Sequence, residues 1–268
     1  MRKLLQPFFS GSRWILCHWE VGRRFTAWYK KFRIERLTMK NRKRLQKYGT
    51  SALKHIHDIL SSAGVPYYLE YGSMLGAVRE KHFIRHDDDL DFGLPPDAIS
   101  AKQLYTLVTR KGLKFDKAFA WRGLITEVSF FYKNIPIDFF MTFNIGGKVQ
   151  GFSFDKFVVR EGKHVALIVK HLWKPDFKGV HEIDFMGVPT LLLNCAEESL
   201  TRTYGDWKTP VENFRGKDKD VYRISVEDEA EMLISAEELM QYPEKPSASS
   251  SQIVDDWFEV VEGKHLGV

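Results

Sequence analysis

The chain has little cysteine: Cys17 and Cys195 lie far apart in unrelated contexts, and neither has a companion at metal-ligand spacing. That argues against a disulfide scaffold and a cysteine-based zinc site, and sets the expectation of a reducing compartment. Long apolar runs are also missing. Uninterrupted apolar stretches such as Val165 to Val169 and Leu191 to Leu193 fall far short of the roughly 20 residues that span a bilayer, so no transmembrane helix is expected. The opening Met1-Arg-Lys-Leu-Leu-Gln-Pro has no sustained apolar segment and no small-residue cleavage site, so no signal peptide is expected either. What remains is a 268-residue chain, 44% hydrophobic, long enough to bury a real core as one large domain or two small ones.

Acid is scarce at one end. Residues 1–50 contain 14 Lys and Arg against Glu20 and Glu35 alone, a local balance of +12; the rest of the chain, with 26 bases and 33 acids, carries −7. The net +5 therefore describes neither part. In the arm, Trp14, Ile15, Trp19, Phe25, Trp28, Tyr29 and Phe32 recur at three- and four-residue steps among Arg23, Arg24, Lys30, Lys31, Arg33 and Arg36, the pattern of a basic amphipathic helix. Such a face fits an anionic membrane surface, and equally a helix packed on its own acidic body or in an oligomer. Nucleic acid is not expected as a partner, because no RNA- or DNA-binding signature accompanies the charge.

The coarse organisation is a helical arm over 1–50, a central domain over 51–225, and an acidic extension over 226–268 with a linker at 243–251 (PEKPSASSS). Ser51 to Ala63 reads as a helix stopped by Gly64 and Pro66, and Tyr67 to Tyr71 as a short strand. Gly72-Ser73 predicts a turn with Ser73 capping a brief helix, Met74 to Arg79. Asp97 is the expected cap of a helix reaching about Lys111. Ile125 to Tyr132 and Ile135 to Phe143 read as strands joined at Lys133-Asn134, followed by a turn at Gly146-Gly147 and a second hairpin around Gly187. Asn194 and Glu197 form a predicted capping pair for a helix ending at Tyr204-Gly205.

The informative run is Tyr71-Gly-Ser-Met-Leu-Gly-Ala-Val-Arg-Glu-Lys-His-Phe-Ile-Arg-His-Asp-Asp-Asp-Leu-Asp-Phe-Gly-Leu94. Aspartate is a poor strand former, yet Asp89 and Asp91 alternate with Leu90 and Phe92, so a period of two puts both carboxylates on one face. Carboxylates that close raise each other's pKa unless a cation lies between them. Mg²⁺ or Mn²⁺, hard cations that prefer oxygen ligands, are the expected partner. Pro136-Ile-Asp-Phe-Phe140 sets Asp138 alone in an apolar strand, where an unpaired charge costs several kcal/mol, so it too needs a cation or a donor. A solvated acidic loop and an edge-strand aspartate facing water are the plain alternatives.

A strand ending in Gly72-Ser73, a short helix, Asp89-Leu-Asp91 and a lone Asp138 on a later strand resemble the nucleotidyltransferase superfamily. More closely, Tyr71-Gly-Ser-Met-Leu-Gly-Ala-Val-Arg79 followed by Ile84-x-x-Asp-Asp-Asp-Leu-Asp91 is similar to the LicD branch, the phosphocholine and phospho-polyol transferases related to fukutin and fukutin-related protein. Tyr204-Gly-Asp-Trp-Lys-Thr-Pro210 is similar to that family's closing motif. The family usually has Pro-Trp before the acidic run where this chain has Arg85-His86, a departure that bears on donor or acceptor specificity.

The resemblance implies an α+β fold, a nucleotidyltransferase-like mixed sheet flanked by helices. It implies transfer of a phosphorylated alcohol from a CDP-linked donor to a hydroxyl of a glycan of lipopolysaccharide, teichoic acid or capsule type. On this reading Asp89, Asp91 and Asp138 hold the metal, and Asp138 takes the proton of the attacking hydroxyl. Gly72 and Ser73 approach phosphate, Arg79 grips it, and Asp87 and Asp88 either support the site or fill the loop. His82, Arg85 and His86 are candidates for the donor pocket, and Trp207 either closes the pocket or packs in the core. The expected location is cytoplasmic, peripheral on the inner face of a membrane through residues 1–48. Nucleotidyl transfer with release of pyrophosphate would use the same carboxylates, and a non-catalytic scaffold binding glycan or membrane is the alternative from another class.

Overall fold

The computed structural model describes residues 11–145, 148–211 and 223–244; over 11–34 only the backbone is described. The first element, α1, Gly11–Ser62, is one helix of 52 residues, about 78 Å long at 1.5 Å per residue. The arm and the helix expected after it are thus continuous, because no proline falls between Pro7 and Pro66. The aromatic and basic face expected over residues 14–33 lies outside the described side chains. From residue 45 onward the helix is anchored. Leu45, Leu53, Ile56 and Leu60 are fully buried at three-, four- and eight-residue steps. Gly64, at φ 65°, ends the helix, and the Val65 amide returns to the Leu60 carbonyl.

The following elements are β1 (Tyr68–Leu69), α2 (Tyr71–Leu75), a π-turn (Gly76–Glu80), β2 (Leu90–Leu94), α3 (Ala101–Thr109), β3 (Lys114–Trp121), β4 (Leu124–Tyr132), β5 (Ile135–Met141) and β6 (Phe143–Ile145). Then come β7 (Lys148–Arg160), β8 (Lys163–Trp173), β9 (Val180–Phe185), β10 (Val188–Leu193), α4 (Ala196–Tyr204), β11 (Arg223–Leu233) and α5 (Ala236–Gln241). Nine strands form one sheet in the order β1-β2-β5-β4-β3-β11-β8-β7-β6, and β9 and β10 form a separate hairpin. Only β2 and β5 pair parallel within the described sheet. The architecture is α+β, a large mixed sheet flanked by helices.

Turn chemistry explains several connections. Lys133 and Asn134 both take positive φ (51° and 61°), the two-residue turn that matches strand twist, as the sequence predicts. The turn at Gly146-Gly147 lies outside the described residues. Three helix starts differ from expectation. Glu70, not Ser73, caps α2, its carboxylate accepting from the Tyr71 amide. Ser100, not Asp97, caps α3, in a reciprocal capping box with Gln103. At α4 the cap position is Cys195 without a side-chain bond, because Asn194 instead donates to the Lys178 carbonyl and contacts His181.

The buried apolar side chains of the described residues form two clusters, with Phe143 packed against both. Phe92, Phe130, Ile137 and Phe139 join Leu53, Ile56 and Leu60 of α1 in the larger one. Trp121, Leu124, Ile145, Phe152, Ala166, Val169 and Ala230 form a second under the long β7–β8 hairpin. Strand β11 lies inside the sheet between β3 and β8, so Val226 to Leu233, the start of the expected acidic extension, is part of it. Its acids are tolerated there because Glu229 and Glu231 meet Arg160 and Lys163 of the hairpin.

Candidate metal and phosphate site

The site is built on the face of the sheet opposite the larger core. Alternation along β2 sends Leu90, Phe92 and Leu94 to the core and leaves Asp91 on the other face; alternation along β5 does the same with Ile137, Phe139 and Asp138. Parallel register then sets Asp91 directly beside Asp138. Antiparallel register adds Ser129 of β4 beside Asp138, and Lys117 of β3 beside Ser129. Asp89, just before β2, completes the cluster. Carboxylate oxygens of Asp89, Asp91 and Asp138 all lie within 4.8 Å of one another, and those of Asp87, Asp88 and Asp89 do so as well.

Electrostatics follow from that crowding. Burial, then the neighbouring carboxylates, holds Asp89 and Asp91 well above the ordinary carboxylate range. Asp138 is raised by burial too, although the Lys117 ammonium and the Ser129 hydroxyl oppose the shift. Burial pushes Asp87 up to about 6, while a hydrogen bond with Asp89 pulls the other way. Glu127 of β4 is pushed up to about 8 by burial and by Asp138, with Lys117 opposing.

The residues fit a divalent cation. Oδ1 of Asp138 is buried with no hydrogen-bond partner, an expense a metal ion would remove. All-oxygen ligands at this spacing suit Mg²⁺ or Mn²⁺. A cavity of about 910 Å³ lies elsewhere, and its basic lining residues Arg122 and Lys163 are already paired with Asp228 and Glu231.

The other predicted residues have particular partners. Gly72 leaves room for the Asp87 carboxylate, which a Cβ there would strike, so its close approach in this structure is to an acid. Ser73, inside α2 and buried, accepts from the Asp91 amide at 2.9 Å through its hydroxyl, tying the helix to β2. Arg79 donates to the Trp207 carbonyl and to Glu80, both at 2.8 Å, so its guanidinium fastens the closing motif to the π-turn. Trp207 is buried and its indole donates to Thr201, a packing role. Asp88 hydrogen-bonds Asn41 of α1. His82, Arg85 and His86 are exposed on the loop before β2.

Sequence reasoning missed a second ring of groups. Glu127 was as legible as Asp138, a single charge in an apolar strand, whereas Lys117 follows Lys114 and Asp116 in β3 and gave no such signal; only the register brings both to Asp138. Tyr204 is half-buried, and the pKa of its hydroxyl is raised by desolvation and then by the nearby Asp91 and Asp87 carboxyls. Glu70 and Lys174 form a buried ion pair at 3.2 Å, with the Lys174 ammonium also donating to the Tyr71 hydroxyl. Asn41 and Arg42, inside the basic arm, reach the acidic loop.

Two relatives share short stretches with this chain. The uncharacterized protein RT0683 of Rickettsia typhi is 36% identical over 61 residues, 23% of this chain and 19% of that protein. The uncharacterized protein RP689 of Rickettsia prowazekii is 38% identical over 65 residues, 24% of this chain and 22% of that protein. The chain thus matches about a fifth of the length of either. Residues 64–178 match the family described as LicD/FKTN/FKRP, nucleotidyltransferase domain, and that span contains the Gly-Ser helix, all five aspartates of the cluster, and Lys174. With the mixed sheet and the facing Asp91–Asp138 pair, this match makes residues 64–178 similar to the LicD/FKTN/FKRP nucleotidyltransferase domain.

Proposed function

We propose that the protein transfers a phosphorylated alcohol from a CDP-linked donor to a hydroxyl of a glycan, with a divalent cation held by Asp89, Asp91 and Asp138. The observation that carries this reading is the convergence of those three carboxylates, one with a buried unpartnered oxygen, on a single face of the sheet. A cation bound there would neutralise the diphosphate and the leaving CMP. The protein's own residues then have defined tasks, since phosphoryl transfer needs alignment and charge stabilisation more than a covalent catalyst. Ser73 fixes the start of β2 and so the position of Asp91. Asp138 accepts the proton of the attacking hydroxyl, its carboxylate kept available by Lys117 and Ser129. Arg79 and Tyr204 keep α4 and the Trp207 segment closed over the site.

The basic arm is the basis of a second part of the proposal, a peripheral position on the inner face of a membrane, where lipid-linked glycan acceptors are built. Among the described residues no helix is long and apolar enough to cross a membrane. Because Leu45 and Gly49 are buried against the body, the stretch available to a lipid surface lies before residue 41. Deleting residues 1–34 should reduce sedimentation with anionic liposomes and leave turnover of a soluble acceptor intact; unchanged sedimentation would return the arm to packing.

The central test is incubation with Mg²⁺ and a panel of CDP-alcohols while CMP release is followed, with nucleoside triphosphates and pyrophosphate release alongside. CMP release that needs both metal and Asp89 supports the proposal. Pyrophosphate release in place of CMP would identify nucleotidyl transfer instead, and silence in both arms of the panel would point to a binding scaffold.

A further inference from the structure

The carboxylates would balance a bound metal, but the proposed donor carries a diphosphate, and the arginine expected to grip phosphate is occupied. Arg79 is committed to Trp207 and Glu80. Arg42 is placed differently. It is half-buried on α1, its Nε is buried with no hydrogen-bond partner, and it forms no ion pair among the described residues. A guanidinium N–H out of water and unbonded is costly to keep, and such a group is suited to a ligand that arrives later.

Its surroundings fix it at the site. One residue before it, buried Asn41 hydrogen-bonds Asp88. One turn after it, Leu45 is fully buried, and the Gln46 side chain donates to the Ile84 carbonyl at 3.1 Å. At Gly49 a Cβ would lie 2.6 Å from the ring of Phe83, so the helix and the loop touch through a missing side chain. These contacts hold α1 against the segment from Phe83 to Asp89. Arg42 is close enough to act electrostatically on both Asp87 and Asp88, yet pairs with neither.

We infer that Arg42 is a phosphate-binding residue of this site, its planar guanidinium gripping the diphosphate of the donor beside the carboxylates that hold the cation. The inference rests on the proposed function for the identity of the donor, and on the geometry of α1 for the role of the arginine. Guanidinium presents two parallel N–H donors to phosphate oxygens, which an ammonium does not. It also gives the unbroken helix a purpose: the same element that carries the basic arm delivers one of its charges to the chemistry.

Calorimetric titration of the full chain with Mg²⁺ alone, and with inorganic pyrophosphate in excess Mg²⁺, separates the possibilities. Arg42→Gln should weaken pyrophosphate binding at least about tenfold while Mg²⁺ alone binds as tightly as before or tighter, since a positive neighbour of the carboxylates is gone. Arg42→Lys should recover part of the loss. Lys43→Gln, removing the same charge from the exposed side of the same helix, should change pyrophosphate binding less than about twofold. Equal binding by the Arg42→Gln and Lys43→Gln proteins would overturn the inference. So would a parallel loss of Mg²⁺ affinity in Arg42→Gln, which would make the arginine a shaper of the loop. Arg42-dependent pyrophosphate binding without CMP release from any CDP-alcohol would support the arginine's role and reject the phospho-alcohol reading; CMP release with an unchanged donor KM in Arg42→Gln would do the reverse.

Discussion

The two ends of the nine-stranded sheet treat charge in opposite ways. In the half made by β7, β8 and β11, each acid named here has a base across the strands: Asp155 with Lys170 at 3.1 Å, Glu231 with Lys163 at 3.1 Å, Glu229 with Arg160, and Asp228 with Arg122 at 2.9 Å. In the half made by β2 and β5, Asp91 faces Asp138 and Asp89 stands next to both, with the Lys117 ammonium only partly opposing the upward shift of Asp138. Both halves place carboxylates in strands, where they are disfavoured. One half offsets that cost locally and the other leaves it standing, which is how functional sites differ from scaffolding.

This contrast can be broken at its centre first. Asp91→Asn should lower metal-dependent CMP release by roughly a thousandfold, on the scale of losing a principal electrostatic group. The same substitution should raise the melting temperature of the metal-free protein, because it removes one of three mutually repelling carboxyls. A melting temperature that falls would show that Asp91 is held by structure and not strained by its neighbours.

Acidity tests the same half without mutation. Carboxyls whose folded pKa lies above the unfolded value bind more protons folded than unfolded, so stability drops as pH rises through the window between the two. With Asp87 near 6 and Glu127 near 8, the metal-free protein should melt at higher temperature at pH 6 than at pH 8. Saturating Mg²⁺ should shrink or invert that difference, because metal competes with the protons. A flat profile in both conditions would mean the clustered carboxyls are already satisfied.

A smaller effect is expected from the joint between helix and strand. Ser73→Ala leaves the buried Asp91 amide without its acceptor, a loss of about 1–3 kcal/mol, measurable by urea unfolding together with weakened metal binding. The smallest belongs to the other half. Glu231→Gln breaks an exposed pair with Lys163 and should cost at most about 1 kcal/mol, with Mg²⁺ affinity unchanged. If it altered metal binding, the two halves would be coupled and the comparison would lose its force.

Much of the site was legible because its residues violate local rules. Four aspartates leading into a strand and a lone Asp138 between Ile137 and Phe139 are costly enough to need a reason, and the proposed cation supplies one. Ser73 shows the opposite case. Its position after Gly72 suits a helix cap, yet Glu70 takes the cap because its carboxylate reaches the Tyr71 amide, freeing Ser73 for Asp91. Glu127 and Lys117 sit in strands whose partners are set by register, a property that depends on which face is buried and on the turn at Lys133-Asn134. The acids of Glu227 to Glu231 read as an extension because their bases lie some 70 residues away in another hairpin.

The sequence by itself determined the carboxylate cluster, the family motifs and the uneven charge, since these depend on residue type and short-range spacing. Tertiary structure decided which carboxylates meet. Asp91 and Asp138 are brought together by a parallel pairing no local signal encodes, because long-range strand choice is settled by the shared burial of Phe92 and Phe139. It also decided that the basic arm is in part a wall of the site. Unbroken hydrogen bonding carries α1 past Gly49, and the burial of Leu45 turns Asn41 and Arg42 toward the acids.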